Sequence, residues 1–196
     1  MTEPDAKPET PLVSTSVEAD AAAPAAAALL PANGLAAGSA NPLDNPPRPT
    51  AELAAREVQR WFSERGISTA GLVVDNGSGL SRTERLTARQ LGLLLRHALT
   101  GPHAPDLLMS LPMAGVDGTL RNRLRDTPAH AWARLKTGTL RNVVALAGVV
   151  PDPQRRPWIF VAIINHDNAS KARPALDALA AAVARGESWT QPSKGR

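Results

Sequence analysis

Between Ala131 and Ile164 the chain holds three apolar runs of strand length, "AWARLKTGT" at 131–139, "VVALAGVV" at 143–150 and "WIFVAII" at 158–164. The last two are rich in β-branched residues, which favour extended backbone. A short link at 141–142 joins the first pair, and the polar, proline-bearing "PDPQRRP" separates the second. Links this short join antiparallel neighbours, because a parallel pair needs a crossover of a dozen residues or more. The three runs therefore predict an antiparallel meander. The middle run does not alternate apolar with polar, so both of its faces should be covered. A helix from Pro174 to Arg185, with Leu176, Leu179 and Val183 inward, can cover one of them.

Helices come first in the chain. Thr50 can cap a helix running to Arg65, in which Ala54, Val58, Trp61 and Phe62 form one apolar stripe and Gly66 is placed to end it. "GLVVD" at 71–75 reads as a short buried strand, followed by turn chemistry in "NGSG" at 76–79. Thr87 and Gln90 have capping-box spacing and Leu86 and Leu91 form the flanking staple. They open a helix that Gly101-Pro102 stops, and a short turn at 105–110 starts on Pro105. Helices, then a meander, then a closing helix make an α/β chain of the α+β type.

Residues 1–50 differ in kind. They hold half of the chain's 18 prolines together with an alanine-rich run, and they are acidic, so they read as a disordered Ala/Pro-rich leader. The folded domain is expected over 51–186 and a flexible tail over 187–196. Since the leader is acidic while the whole chain carries a formal charge of +4, the body is more basic than the total suggests. Anionic partners follow from that charge. Nucleic acid does not, because the arginines are scattered, Tyr is absent, and four Trp and two Phe are a poor stock of stacking rings. With no Cys, and with His97, His103, His130 and His166 at no zinc-ligand spacing, no metal and no cofactor is expected.

One residue breaks a compositional habit. Lys136 is the only lysine between Ala51 and Ser170, where every other cation is arginine. Arginine is a planar fork that stays protonated, whereas lysine is a compact ammonium whose protonation its surroundings can tune. In an extended strand Thr137 and Thr139 share one side, and Lys136 and Gly138 the other. Two hydroxyls can donate to an anionic group, and Gly138 removes bulk where another chain must approach. The plain alternative is an edge-protecting lysine beside a bulge.

"KTGT" enters the meander, and upstream stand "LVVDNGSGLSR" at 72–82 and "LPMAGVDGTLRNRL" at 111–124. Together these resemble the low-molecular-mass penicillin-binding proteins, the D-alanyl-D-alanine carboxypeptidase/endopeptidase family, over roughly residues 51–186. The resemblance implies a partial β-lactamase/transpeptidase-like fold and a serine-type hydrolase of peptidoglycan peptides. It gives Lys136 an electrostatic catalytic role, and it makes Thr137, Gly138 and Thr139 substrate-binding, with the Thr139 N–H as one of two oxyanion donors. The implied partners are the peptidoglycan stem peptide ending in D-Ala-D-Ala and β-lactams. The Ser78 and Ser81 turn is a family landmark to which a structural role is assigned.

The family's nucleophile, a Ser three residues before a Lys, occurs nowhere in the 196 residues. Ser39-Ala40-Asn41 matches Ser-x-Asn but lies in the leader, so it reads as coincidence. The expectation is a C-terminal portion of the enzyme, inactive alone. The alternative is a non-catalytic fragment that binds wall peptides or a partner. In the family two N-terminal strands flank the last strand; without them that edge is open to a partner chain. The family works in the periplasm, and the N-terminus has no export signal, so retention in the cytoplasm is the competing location. A triad built on Ser78 and Asp75 lacks a locally placed His.

Overall fold

The expected meander forms. The computed structural model describes residues 12–14 and 50–187. Its strands are β1 (Leu12–Ser14), β2 (Arg134–Leu140), β3 (Val143–Pro151) and β4 (Pro157–Asn165), in the spatial order β1-β4-β3-β2. β2 pairs antiparallel with β3 from Arg134↔Val149 to Leu140↔Val143, which leaves Arg141 and Asn142 as the connecting turn. β3 pairs antiparallel with β4 from Val143↔Asn165 to Pro151↔Pro157. "AWA" at 131–133 stays outside β2, because Ala131 has a φ of 60° and its N–H donates to Ala114 O.

Four α-helices are described: α1 (Thr50–Glu64), α2 (Ala88–Thr100), α3 (Ala104–Ser110) and α4 (Arg173–Ala184). Thr50, expected to cap α1, is instead its first helical residue, whereas the start of α2 and the end of α1 follow the sequence. Thr87 accepts from the Gln90 N–H while the Gln90 side chain accepts from the Thr87 N–H, which completes the capping box of α2. Gly66, with a φ of 66°, ends α1 as Ile67 N–H returns to Phe62 O.

The sheet is covered on both faces. Val144, Leu146 and Val150 of β3 and Phe160 and Ala162 of β4 share one buried cluster with Leu120, Leu135, Leu176 and Ala180. That face packs on α4. On the other face, Val149 and Ile159 meet Leu99 of α2 and Leu108 of α3. Ala145 and Ile163 look across a cavity at Val58, Phe62 and Leu94. Gly148 sits in the row Leu135–Gly148–Phe160 because β2 presses on it: a Cβ there would lie 2.2 Å from Arg134 O.

Two expectations need correction. "GLVVD" is not a sheet strand. Gly71 has a φ of 69°, Leu72 N–H turns back to Thr69 O, and only an isolated antiparallel bridge forms, Val73↔Arg85. The leader was expected to hold no packed element and to leave β4 with a free edge. Instead Leu12–Ser14 lies parallel to β4, with Leu12↔Ile159 and Ser14↔Val161 in register. The remaining expectations for 1–50 and 188–196 lie outside the described residues.

The β3–β4 turn is organised by one buried carboxylate. Asp152 is 3% exposed and accepts from the Gln154 and Arg156 N–H groups, the Arg156 guanidinium and Trp158 Nε1. Burial works against its ionisation, but the Arg156 N–H, the Trp158 indole and the Arg156 charge outweigh it and hold its pKa below the usual carboxylate value. A carboxylate depressed on folding stabilises the protein above its unfolded-state pKa and loses that effect as pH falls through its folded-state value. Asp152→Asn should therefore lower stability at neutral pH. In denaturant titrations the gap between wild type and variant should close as pH drops below the ordinary carboxylate range. A gap independent of pH would contradict this.

Candidate functional site

β2 has one edge on β3 and one edge facing out, and its backbone bonds fix which residues face where. Leu135 N–H donates to Pro112 O at 2.9 Å, and Ala114 N–H donates to Ala133 O at 2.9 Å. Main-chain groups alternate sides along a strand, so odd-numbered residues of β2 point outward and even-numbered ones toward β3. Residues 112–114 thus cover the first half of the outer edge, with Met113 bridging Arg134. At Thr137 and Thr139 no further described strand pairs with it. The segment "KTGT" is therefore the open end of a half-covered sheet edge.

Each residue singled out in the sequence lies on this ladder. Lys136 stands opposite Ala147, Thr137 opposite Leu146, Gly138 opposite Ala145 and Thr139 opposite Val144. Thr137 and Thr139 share a face with Leu135, while Lys136 and Gly138 share the other with Ala145 and Ala147, as strand alternation requires. Lys136 is exposed, and its Nζ donates to Thr137 O at 2.7 Å, a carbonyl of the outer edge. The ammonium thus lies at the margin where an added strand would bond. A Cβ on Gly138 would come within 3.3 Å of Ala145 Cβ, so this face is already tight.

Thr137 Oγ1 donates to Thr119 Oγ1 at 2.8 Å. The sequence placed Thr119 only inside a family landmark and gave it no role. A contact between residues 18 positions apart leaves no local signal.

The opposite wall is the 75–85 loop, and its serines serve the loop. Asp75 Oδ2 accepts from Ser81 at 2.5 Å and Thr83 at 3.1 Å, Ser78 Oγ accepts from Leu80 N–H, and Glu84 accepts from Gly77 N–H. No His is among these partners, so the Ser78–Asp75 triad does not form. Gln90 anchors the start of this wall: it is 4% exposed, and its Nε2 donates to Ser68 O at 2.8 Å and Ala70 O at 3.1 Å while its Oε1 serves the cap. Between wall and sheet lies a cavity of about 950 Å³ with Val58, Phe62, Leu94, Ala145 and Ile163 inside and Arg82, Arg85 and Arg141 among its polar lining. Lys136 does not line it. Gly138 adjoins it through Ala145, which does.

A helix-flanked antiparallel sheet whose margin presents Lys-Thr-Gly-Thr is a portion of the transpeptidase-like fold. The penicillin binding protein 4 (DacB) structure from Haemophilus influenzae superposes with a TM-score of 0.57 at 27% identity, covering 64% of this chain and 30% of that one. Residues 40–184 match the D-Ala-D-Ala carboxypeptidase 3 (S13) family, and the chain belongs to that family. It is 39% identical over 145 residues to a D-alanyl-D-alanine carboxypeptidase of an Actinomadura species, covering 71% of this chain and 27% of the relative. It is 42% identical over 138 residues to carboxypeptidase DacB of Mycolicibacterium smegmatis, covering 67% and 30%. The chain thus spans less than a third of the length of these relatives.

Proposed function

We propose that these 196 residues supply the carboxylate-holding edge of a serine-type D-Ala-D-Ala carboxypeptidase and bind peptidoglycan stem peptides without acylating on their own. The observation that carries this is the open outer edge of β2 at Thr137 and Thr139. A peptide laid antiparallel along it gains main-chain hydrogen bonds from those two residues. Lys136 leaves the Thr137 carbonyl to meet the terminal carboxylate, the two threonine hydroxyls donate to that carboxylate, and the Thr139 N–H serves as an oxyanion donor. Gly138 keeps side-chain bulk off this stretch.

Magnitudes bound the affinity. An exposed ammonium and carboxylate about 4 Å apart gain only ~1 kcal/mol in water, and hydrogen bonds to a charged group add ~1.5–3 kcal/mol each. After the cost of ordering the peptide, a dissociation constant on the order of millimolar follows, about −4 kcal/mol. Acylation needs the Ser-x-x-Lys pair, which these residues do not contain. The family membership supports action on cell-wall peptides, and hence a place on the wall side of the membrane; among the described residues no helix is long and apolar enough to cross one.

A partner chain pairing with β4 is the second part of the proposal. β1 covers β4 from Ile159 to Val161, and no described strand lies beside Ala162–Asn165 on that edge. Sedimentation should accordingly reveal association that rises with concentration; a strictly monomeric species across the range would remove this part.

Binding is testable by NMR titration with an N-acylated D-Ala-D-Ala dipeptide. Shift changes should centre on Thr137–Thr139, and Lys136→Ala should weaken binding about tenfold. Labelled penicillin should leave no covalent adduct. Unchanged binding in the variant would refute the role of Lys136, and a stable adduct would refute the statement that this chain does not acylate.

A further inference from the structure

Thr119 stands outside the Lys-Thr-Gly-Thr segment, yet its hydroxyl lies 2.8 Å from that of Thr137. The turn that carries it is held tightly. Met113 N–H donates to Asp117 Oδ1 at 2.7 Å, Gly115 N–H to Leu120 O at 3.0 Å and Leu120 N–H to Asp117 O at 3.2 Å. Leu120 is fully buried in the core beside Leu135. Gly118 has a φ of 50°, and a Cβ there would come 3.1 Å from the Pro112 ring. Pro112 in turn accepts from Leu135 N–H. The segment is therefore fastened to the very strand whose hydroxyl it meets, so the Thr119–Thr137 distance is set by main-chain bonds.

Two hydroxyls in contact hold two protons between them. One is used in the Thr119–Thr137 bond, and the other stays free to donate outward. Thr119 is exposed, so a ligand at the open edge can reach it. A lone Thr137 would also turn among rotamers, and the fixed neighbour removes that freedom.

We propose that Thr119 is a positioning residue of the carboxylate site: it holds the Thr137 hydroxyl in place and, as a pair with it, presents one proton to the terminal carboxylate of the docked peptide. This rests on the reading of β2 as the docking edge. The resulting site has three hydroxyls, from Thr119, Thr137 and Thr139, and the ammonium of Lys136. It recognises a free peptide carboxylate and has nothing comparable to offer a C-terminal amide.

The test uses the whole chain with N-acetyl-D-Ala-D-Ala and its C-terminal amide as probes. Thr119→Val should weaken binding of the free acid at least about threefold, because Thr137 keeps its own proton but must then be fixed in one of three rotamers. Thr119→Ser should restore it to within about twofold. The amide should bind weakly and equally to all three proteins, and their thermal midpoints should agree, since Thr119 is exposed. In the ligand-free protein, coupling constants should report one χ1 rotamer for Thr137 and averaging in Thr119→Val. Equal affinity of wild type and Thr119→Val for the acid would overturn the assignment of Thr119 and leave the docking edge intact. Failure of serine to rescue, or an equal loss with the amide, would also overturn it. No binding of either probe to wild type would sink the docking edge and Thr119 together.

Discussion

The arrangement depends on the parity of β2. Two hydrogen bonds, Leu135 N–H to Pro112 O and Ala114 N–H to Ala133 O, decide that odd-numbered residues of this strand face outward. A slip of one residue would turn Thr137 and Thr139 toward β3 and put Lys136 and Gly138 on the outer edge. It would also drive Leu135, fully buried, out of the core. Burial of one leucine is worth roughly 2 kcal/mol, and the buried Leu120 packs in the same cluster. The core thus enforces the register that leaves the Thr-Gly-Thr main chain open, and packing and docking edge are one constraint seen from two sides.

Polar burial fixes the rest of the frame. Asp152 closes the far turn of the meander, and Gln90 ties the cap of α2 to the carbonyls of Ser68 and Ala70. Both groups are nearly inaccessible and fully partnered, which makes each specific: a buried carboxylate or amide is destabilising if its partners move away. Asn142 adds a third tie, since its carbonyl accepts from His166 N–H and its amide donates to Asp167, fastening the β2–β3 turn to the end of β4.

Much of this was legible because the signals were local. Apolar runs with short links specified the meander, the Thr87–Gln90 box specified the start of α2, and alternation specified the faces of Lys136 and Thr137. The misses have physical reasons. "GLVVD" has the composition of a strand, but Gly71 and the hydroxyls gathered by Asp75 curl the chain before a ladder can grow. Leu12–Ser14 lay in a proline-rich context that argued against any packed element, and its pairing with β4 is a contact across nearly 150 residues. Thr119 was invisible for the same reason: only folding brings "DGT" to the edge of β2. Gln90 was half legible, its cap read correctly and its reach to Ser68 and Ala70 not.

Amide hydrogen exchange along β2 tests the central claim most directly. In the free protein the N–H groups of Lys136 and Gly138, bonded to β3, should exchange slowly, as should Leu135, covered by Pro112, while Thr137 and Thr139 exchange quickly. A saturating acyl-D-Ala-D-Ala peptide should slow those two selectively. Thr137 and Thr139 amides already as protected as their neighbours in the free protein, or unmoved by the peptide, would contradict an open docking edge.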